Sequence, residues 1–180
     1  MSPWAALAVG LLFYFSDGKS ILLLAAPVAV HELGHMLCLR LLGCRVLAFR
    51  CELSGLCIRY AGDPGRWGQA AAALAGPLTG LIYAWFAAKM GASGELSAGI
   101  SVLLSVFNLI PALPLDGGRA VDALLGRKAA RRLSLFCSVL TMSLGLVLFA
   151  RSRGAALALA GLLLLAAQIR QGSSSAISPD

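Results

Sequence analysis

Charge is scarce in this chain. Asp, Glu, Lys and Arg make up 13% of its 180 residues, against about 25% in soluble domains. Hydrophobic residues reach 59% and the mean hydropathy is +0.84, so most of the surface must face lipid. Apolar stretches recur along the whole length, which excludes a separate soluble domain. Histidine is scarcer still, with two in the chain. The five cysteines, Cys38, Cys44, Cys51, Cys57 and Cys137, form no CxxC and fit no zinc knuckle, and read as reduced thiols. No basic region precedes Lys19, and Ser16-Asp17-Gly18 is a poor cleavage site, which argues against a signal peptide. The net charge of +7 comes without an aromatic-interleaved basic patch. Its basic residues lie in the gaps between apolar segments, as in a membrane protein with Lys- and Arg-rich loops. No nucleic-acid partner is expected.

What is present is six apolar segments: Trp4–Phe15, Ile21–Leu42, Gln69–Ala88, Leu96–Pro111, Leu133–Ala150 and Ala155–Ile169. A full span needs about 20 residues; the second, third and fifth meet that well and the others are marginal. The expected fold is an all-α polytopic membrane protein of about six transmembrane helices, with lipid as its surroundings. The expected division is an apolar N-terminal segment (1–20), a core (21–118), two C-terminal helices (119–171) and a disordered tail (172–180). If all six segments cross, 11 of the 15 basic residues fall on the side holding both termini and the loops 40–67 and 112–132. The positive-inside rule makes that side cytoplasmic, in a multi-pass bacterial cell-membrane protein. Within the first loop, Arg45–Leu53 and Leu56–Tyr60 flank Ser54-Gly55. This reads as a β-hairpin or as an amphipathic loop on the headgroups.

The sharpest motif is His31-Glu32-Leu33-Gly34-His35. On a helix, residues four apart share a face, so two imidazoles can grip one zinc ion while Glu32 takes a proton from water. Both of the chain's histidines are used here. Glu32 interrupts an otherwise uncharged run, and an ionisable group at that depth marks a functional site by default. A hydrolytic zinc takes three protein ligands, and Asp116 is the best third. Pro111 and Pro114 stop the fourth segment, and Gly117 and Gly118 free the backbone to turn Asp116 inward. The bland alternatives are a hydrogen-bonded histidine pair packing helices and a surface turn at Asp116-Gly117-Gly118. Asn108 either bonds a neighbouring helix or orients a substrate carbonyl.

Three blocks in order, HELGH at 31–35, Ala75-Gly76-Pro77-Leu78-Thr79-Gly80, and Asn108 through Pro114-Leu115-Asp116-Gly117-Gly118, resemble the site-2 protease family of intramembrane zinc metalloproteases. More narrowly they resemble its stage IV sporulation protease subgroup, which cleaves a sigma-factor precursor. The resemblance implies a three-helix catalytic core, one Zn2+ held by His31, His35 and Asp116, and Glu32 as the catalytic base, with Asn108 near the active site. It implies a membrane-associated protein substrate cut near the cytoplasmic side. Many relatives carry Asn where Gly80 stands, so that substrate-positioning role has no carrier at 80. Gly76-x-x-x-Gly80 also reads as a close-packing face for another helix. With about ten residues after the sixth segment, neither a nucleotide-sensing CBS domain nor a PDZ domain is expected. The rival readings are a metal-ion transporter, which predicts polar residues along several helices, and a pseudoprotease that binds membrane proteins without cutting them. Substrate identity, inhibitory partners and homo-oligomerisation are not legible.

Overall fold

The structure, a computed structural model, describes residues 18–52, 55–150 and 166. The apolar segments Trp4–Phe15 and Ala155–Ile169 (apart from helical Ala166) and the tail 172–180 lie outside the described residues. The elements are α1 (Gly18–Leu41), β1 (Arg45–Glu52), β2 (Gly55–Ala61), α2 (Gly65–Ala87), α3 (Ala92–Asn108), α4 (Asp116–Leu125) and α5 (Arg127–Ala150). They fall into two units that divide between Leu109 and Ile110.

In the first unit α1, α2 and α3 pack against one another. Four expected segments are helical, with bounds shifted by a few residues. Among the described residues one helix, Gly65–Ala87, is long and apolar enough to cross a membrane by length and composition. The packing is the reverse of a soluble core. The largest fully buried side chains are Pro27, Pro77, Ser101, Ser105, Ser134 and Ser138, while Leu33, Leu37, Ile82, Trp85, Phe86 and Leu103 are exposed. Small residues let backbones approach, and polar ones bond across the contact. Pro27 shows why the serines are needed. It has no N–H, so the carbonyl of Leu23, four residues back, loses its helical donor. Ser97 Oγ of α3 donates to that carbonyl at 3.3 Å, and Tyr83 of α2 bonds the same hydroxyl at 2.8 Å. Ser101 Oγ donates to Gly80 O at 2.8 Å.

The loop after α1 is the hairpin of the two alternatives. β1 and β2 pair antiparallel, Arg45 opposite Ala61 and Glu52 opposite Gly55, with a bulge between Val46 and Ala48. Tyr60 packs against the cluster Leu39, Cys44 and Ala72, which ties the hairpin's root to α1 and α2. Gly91, at φ 76° before α3, takes a positive-φ conformation in the short α2–α3 turn that glycine adopts without steric cost.

In the second unit, the stretch 112–132 expected as a loop contains α4 and the start of α5. The prolines do end the preceding helix, at Asn108, and the Leu113–Pro114 peptide is cis. Leu113 N donates to Ser134 Oγ of α5 at 2.7 Å, and Arg127 bonds Asp122 at 2.7 Å across the α4–α5 turn.

Candidate metal centre

His31 and His35 project from α1 one turn apart. Their rings meet edge to face, with centroids 4.9 Å apart and planes at 80°, and their Nε2 atoms are 3.2 Å apart. Two ligands of one tetrahedral zinc at about 2.0–2.1 Å stand roughly 3.3 Å from each other, so the pair fits zinc. His31 is buried to 3% exposure, and His35 is half-buried.

His35 is aimed by α2. Its Nδ1 lies 2.7 Å from the carbonyl oxygen of Ala72. A carbonyl accepts, so the proton is assigned to Nδ1 and the lone pair to Nε2. A metal-binding imidazole would be oriented by such a hydrogen bond. The ring reaches the carbonyl because Gly76 has no side chain: a Cβ there would stand 2.5 Å from Cε1 and 2.7 Å from Cδ2 of His35, and closer still to Nε2. Gly34 is seated similarly. Its Cβ would overlap Thr79 Oγ1 and lie 2.7 Å from Ala75 O. The glycine face expected on α2 therefore divides its work, Gly76 receiving His35 of α1 and Gly80 receiving Ser105 of α3. Sequence reasoning read Gly76 as packing and missed its role in seating His35. Its spacing of four from the Ala72 carbonyl was the available signal.

The other expected site residues are placed as follows. Glu32 is half-buried on α1. Asp116, in the second unit, is 7% exposed and opens α4, where an N-terminal carboxylate complements the helix dipole. Gly117 and Gly118 do not free the backbone as expected, since both are helical. Gly118 is needed for space instead: its Cβ would stand 2.5 Å from the carbonyl carbon of Ala112 and from Leu113 N. Asn108 Nδ2 donates to Leu104 O of its own helix at 3.0 Å.

A family profile described as Peptidase M50B-like matches residues 4–115, and one described as Peptidase family M50 matches 90–151. A Synechocystis protein named as a zinc metalloprotease, sll0528, is 34% identical over 115 residues, 58% of this chain and 30% of the relative. The Mycobacterium tuberculosis protein Rip3, named likewise, is 34% identical over 129 residues, 62% of this chain and 32% of the relative. The chain thus spans about a third of the length of these relatives. The structure titled site-2 protease from Methanocaldococcus jannaschii matches with TM-score 0.63 and 24% identity over 92% of this chain and 84% of that one, a likeness of fold.

Proposed function

The chain belongs to the M50B-like peptidases of the site-2 protease family, and on that premise we propose that it is an intramembrane zinc endopeptidase acting on a membrane-associated protein. The observation that carries this reading is the paired imidazoles, Nε2 to Nε2 at 3.2 Å, oriented by a backbone carbonyl and followed in sequence by the third donor, Asp116. His31, His35 and Asp116 would hold one zinc ion. When bound, the ion supplies a Lewis acid that polarises the scissile carbonyl and acidifies water. Glu32 accepts the attacking water's proton on its carboxylate and delivers it to the leaving amine. The half-buried position of Glu32 suits a base that must meet water in a largely apolar helix.

Embedding in the bilayer is supported by serines inside, leucines outside and α2 itself. Trp67 and Trp85 lie near its ends, both exposed, and Lys89 Nζ sits 3.5 Å from the Trp85 ring centroid. Eighteen residues at about 1.5 Å each separate the tryptophans by about 27 Å, close to the ~30 Å hydrocarbon core, and aromatic residues mark its two interfaces. Gly76, the seat of His35, is nine residues from each tryptophan. We therefore put the site at mid-depth. In the multi-pass arrangement with cytoplasmic termini, the basic hairpin end is the cytoplasmic end, and the open edges of the hairpin offer an extended substrate a strand to pair with. Proline substitutions along 45–53 should then impair cleavage with zinc content intact; unchanged cleavage removes that role. The motif blocks also suggest a sigma-factor precursor as substrate, a reading lost if an otherwise active chain leaves such a precursor uncut.

The deciding experiment reconstitutes the chain with zinc and a candidate membrane peptide and compares it with Glu32→Gln. Both should bind zinc and only the unaltered chain should cleave. Equal cleavage by Glu32→Gln, or zinc binding with no cleavage of any membrane peptide, refutes the endopeptidase assignment.

A further inference from the structure

The hairpin root carries cations that the proposed chemistry does not use. Register puts Arg45 opposite Ala61 and Val46 opposite Tyr60. Tyr60 packs on Leu39, Cys44 and Ala72, so the Val46–Tyr60 face is turned toward α1 and α2. Side chains alternate along a strand, which turns Arg45 and Arg59 to the opposite face as diagonal neighbours, about 7–8 Å apart at the backbone. Arg40 ends α1 and Arg66 begins α2. A Cβ at Gly68 would lie 3.3 Å from Leu42 Cδ1, so these two helix ends are level. All four arginines are exposed. No ion pair among the described residues engages any of them, and the nearby Asp63 accepts from Gly65 N at 2.9 Å. Their neighbours Leu41, Leu47 and Trp67 are apolar and 79%, 67% and 71% exposed.

We propose that this hairpin root binds the phosphate headgroups of anionic phospholipids, with Arg45 and Arg59 as the central pair and Arg40 and Arg66 contributing from the adjoining helix ends. Guanidinium groups match phosphate oxygens in pairs. Arginine beside exposed Trp and Leu is the chemistry of the headgroup boundary, where basic residues meet phosphate while apolar ones enter the acyl layer. The opposite end of α2 is unlike it: its cation, Lys89, is stacked on Trp85. Charge and apolar flank together select a lipid over an acidic soluble protein. Bound headgroups would hold the hairpin at a fixed depth beside α1.

This inference rests on the membrane-embedded reading, and one experiment separates the two. The full chain is reconstituted in phosphatidylcholine vesicles with and without phosphatidylglycerol, floated, extracted in mild detergent and weighed by native mass spectrometry. Flotation with neither vesicle refutes the membrane reading itself. If the chain floats, it should retain phosphatidylglycerol over phosphatidylcholine. The pair Arg45→Gln/Arg59→Gln should lower that preference roughly tenfold or more, while Lys89→Gln leaves it intact. Equal retention by the arginine pair variant, an equal fall in Lys89→Gln, or displacement by inorganic phosphate would overturn the site.

Discussion

Gly76→Ala should remove zinc without unfolding the protein. The added methyl would stand 2.5 Å from Cε1 and 2.7 Å from Cδ2 of His35, where ordinary contact begins at 3.4 Å. The ring must retreat by at least about 0.9 Å to clear Cε1, and further to clear Nε2. It cannot do so freely, because Nδ1 is held 2.7 Å from Ala72 O. Metal–ligand distances tolerate only about 0.2 Å, and loss of an orienting partner alone weakens zinc binding about 10–100-fold. Displacing the ligand as well should take the loss to a hundredfold or more. The packing penalty should be about 1–3 kcal/mol, small enough for the helices to persist. The assay is a competitive zinc titration against a chromophoric chelator, with circular dichroism on the same samples. Gly80→Ala is the control: its methyl meets the hydroxyl of Ser105, which can rotate away, so zinc affinity should stay within a few-fold. Wild-type zinc affinity in Gly76→Ala would refute the idea that this glycine seats the ligand.

Gly118→Ala should be the most destabilising of the glycine changes, by more than about 3 kcal/mol in thermal melts, because its Cβ would meet the backbone of Ala112 and Leu113 and backbone cannot rotate aside; a near-normal melt would contradict this. Ser101→Ala should lose roughly 0.5–1 kcal/mol with its bond to Gly80 O, whereas Ser105→Ala should be neutral or stabilising, since Ser105 Oγ is buried with no hydrogen-bond partner; the reverse order of melting temperatures would refute that accounting. Burial, then the nearby Cys44 and Asp63, raise the Tyr60 phenol above its ordinary value. The fold thus favours the neutral phenol, so its stabilising contribution is fully present below about pH 10 and is lost as pH rises through the higher folded value. Ultraviolet titration of the chain against Tyr60→Phe should show that late phenol, and an ordinary midpoint would contradict the burial.

The histidine pair was fully legible, because a helix fixes the i, i+4 relation whatever surrounds it. The hairpin was half legible: β-rich runs around Ser54-Gly55 suggested it, but only packing of Tyr60 on α1 and α2 decides between a hairpin and a loop. Helix α4 was not legible. Asp116-Gly117-Gly118 after two prolines has turn chemistry by local rules, and the need for Gly118 comes from contact with Ala112, which no local rule supplies. Asn108 is a similar case. A terminal amide can bond its own helix, a neighbour or a substrate, and residue type does not choose among them.

Why the metal centre should depend on a glycine at all follows from helix geometry. In an α-helix the carbonyl of residue i is covered by the residue four positions on, which donates to it. Oxygen has a second lone pair, but a Cβ at i+4 crowds the approach. Among the described residues four carbonyls of this bundle are reached from a neighbouring helix: Leu23 O lies under Pro27, Gly80 O under the small Ala84, and the two carbonyls reached between α1 and α2 lie under glycine. Ala72 O, under Gly76, takes His35 Nδ1 at 2.7 Å; Val30 O, under Gly34, takes Thr79 Oγ1 at 3.3 Å. The two contacts run in opposite directions between α1 and α2, so each helix orients a side chain of the other. Only small residues permit this spacing, which leaves the large apolar side chains no place but the outer surface of the bundle. The serine-filled interior and the orientation of His35 are then consequences of one constraint. Lengthening Ala72 or Gly76 should therefore disturb the zinc ligand before it disturbs the fold.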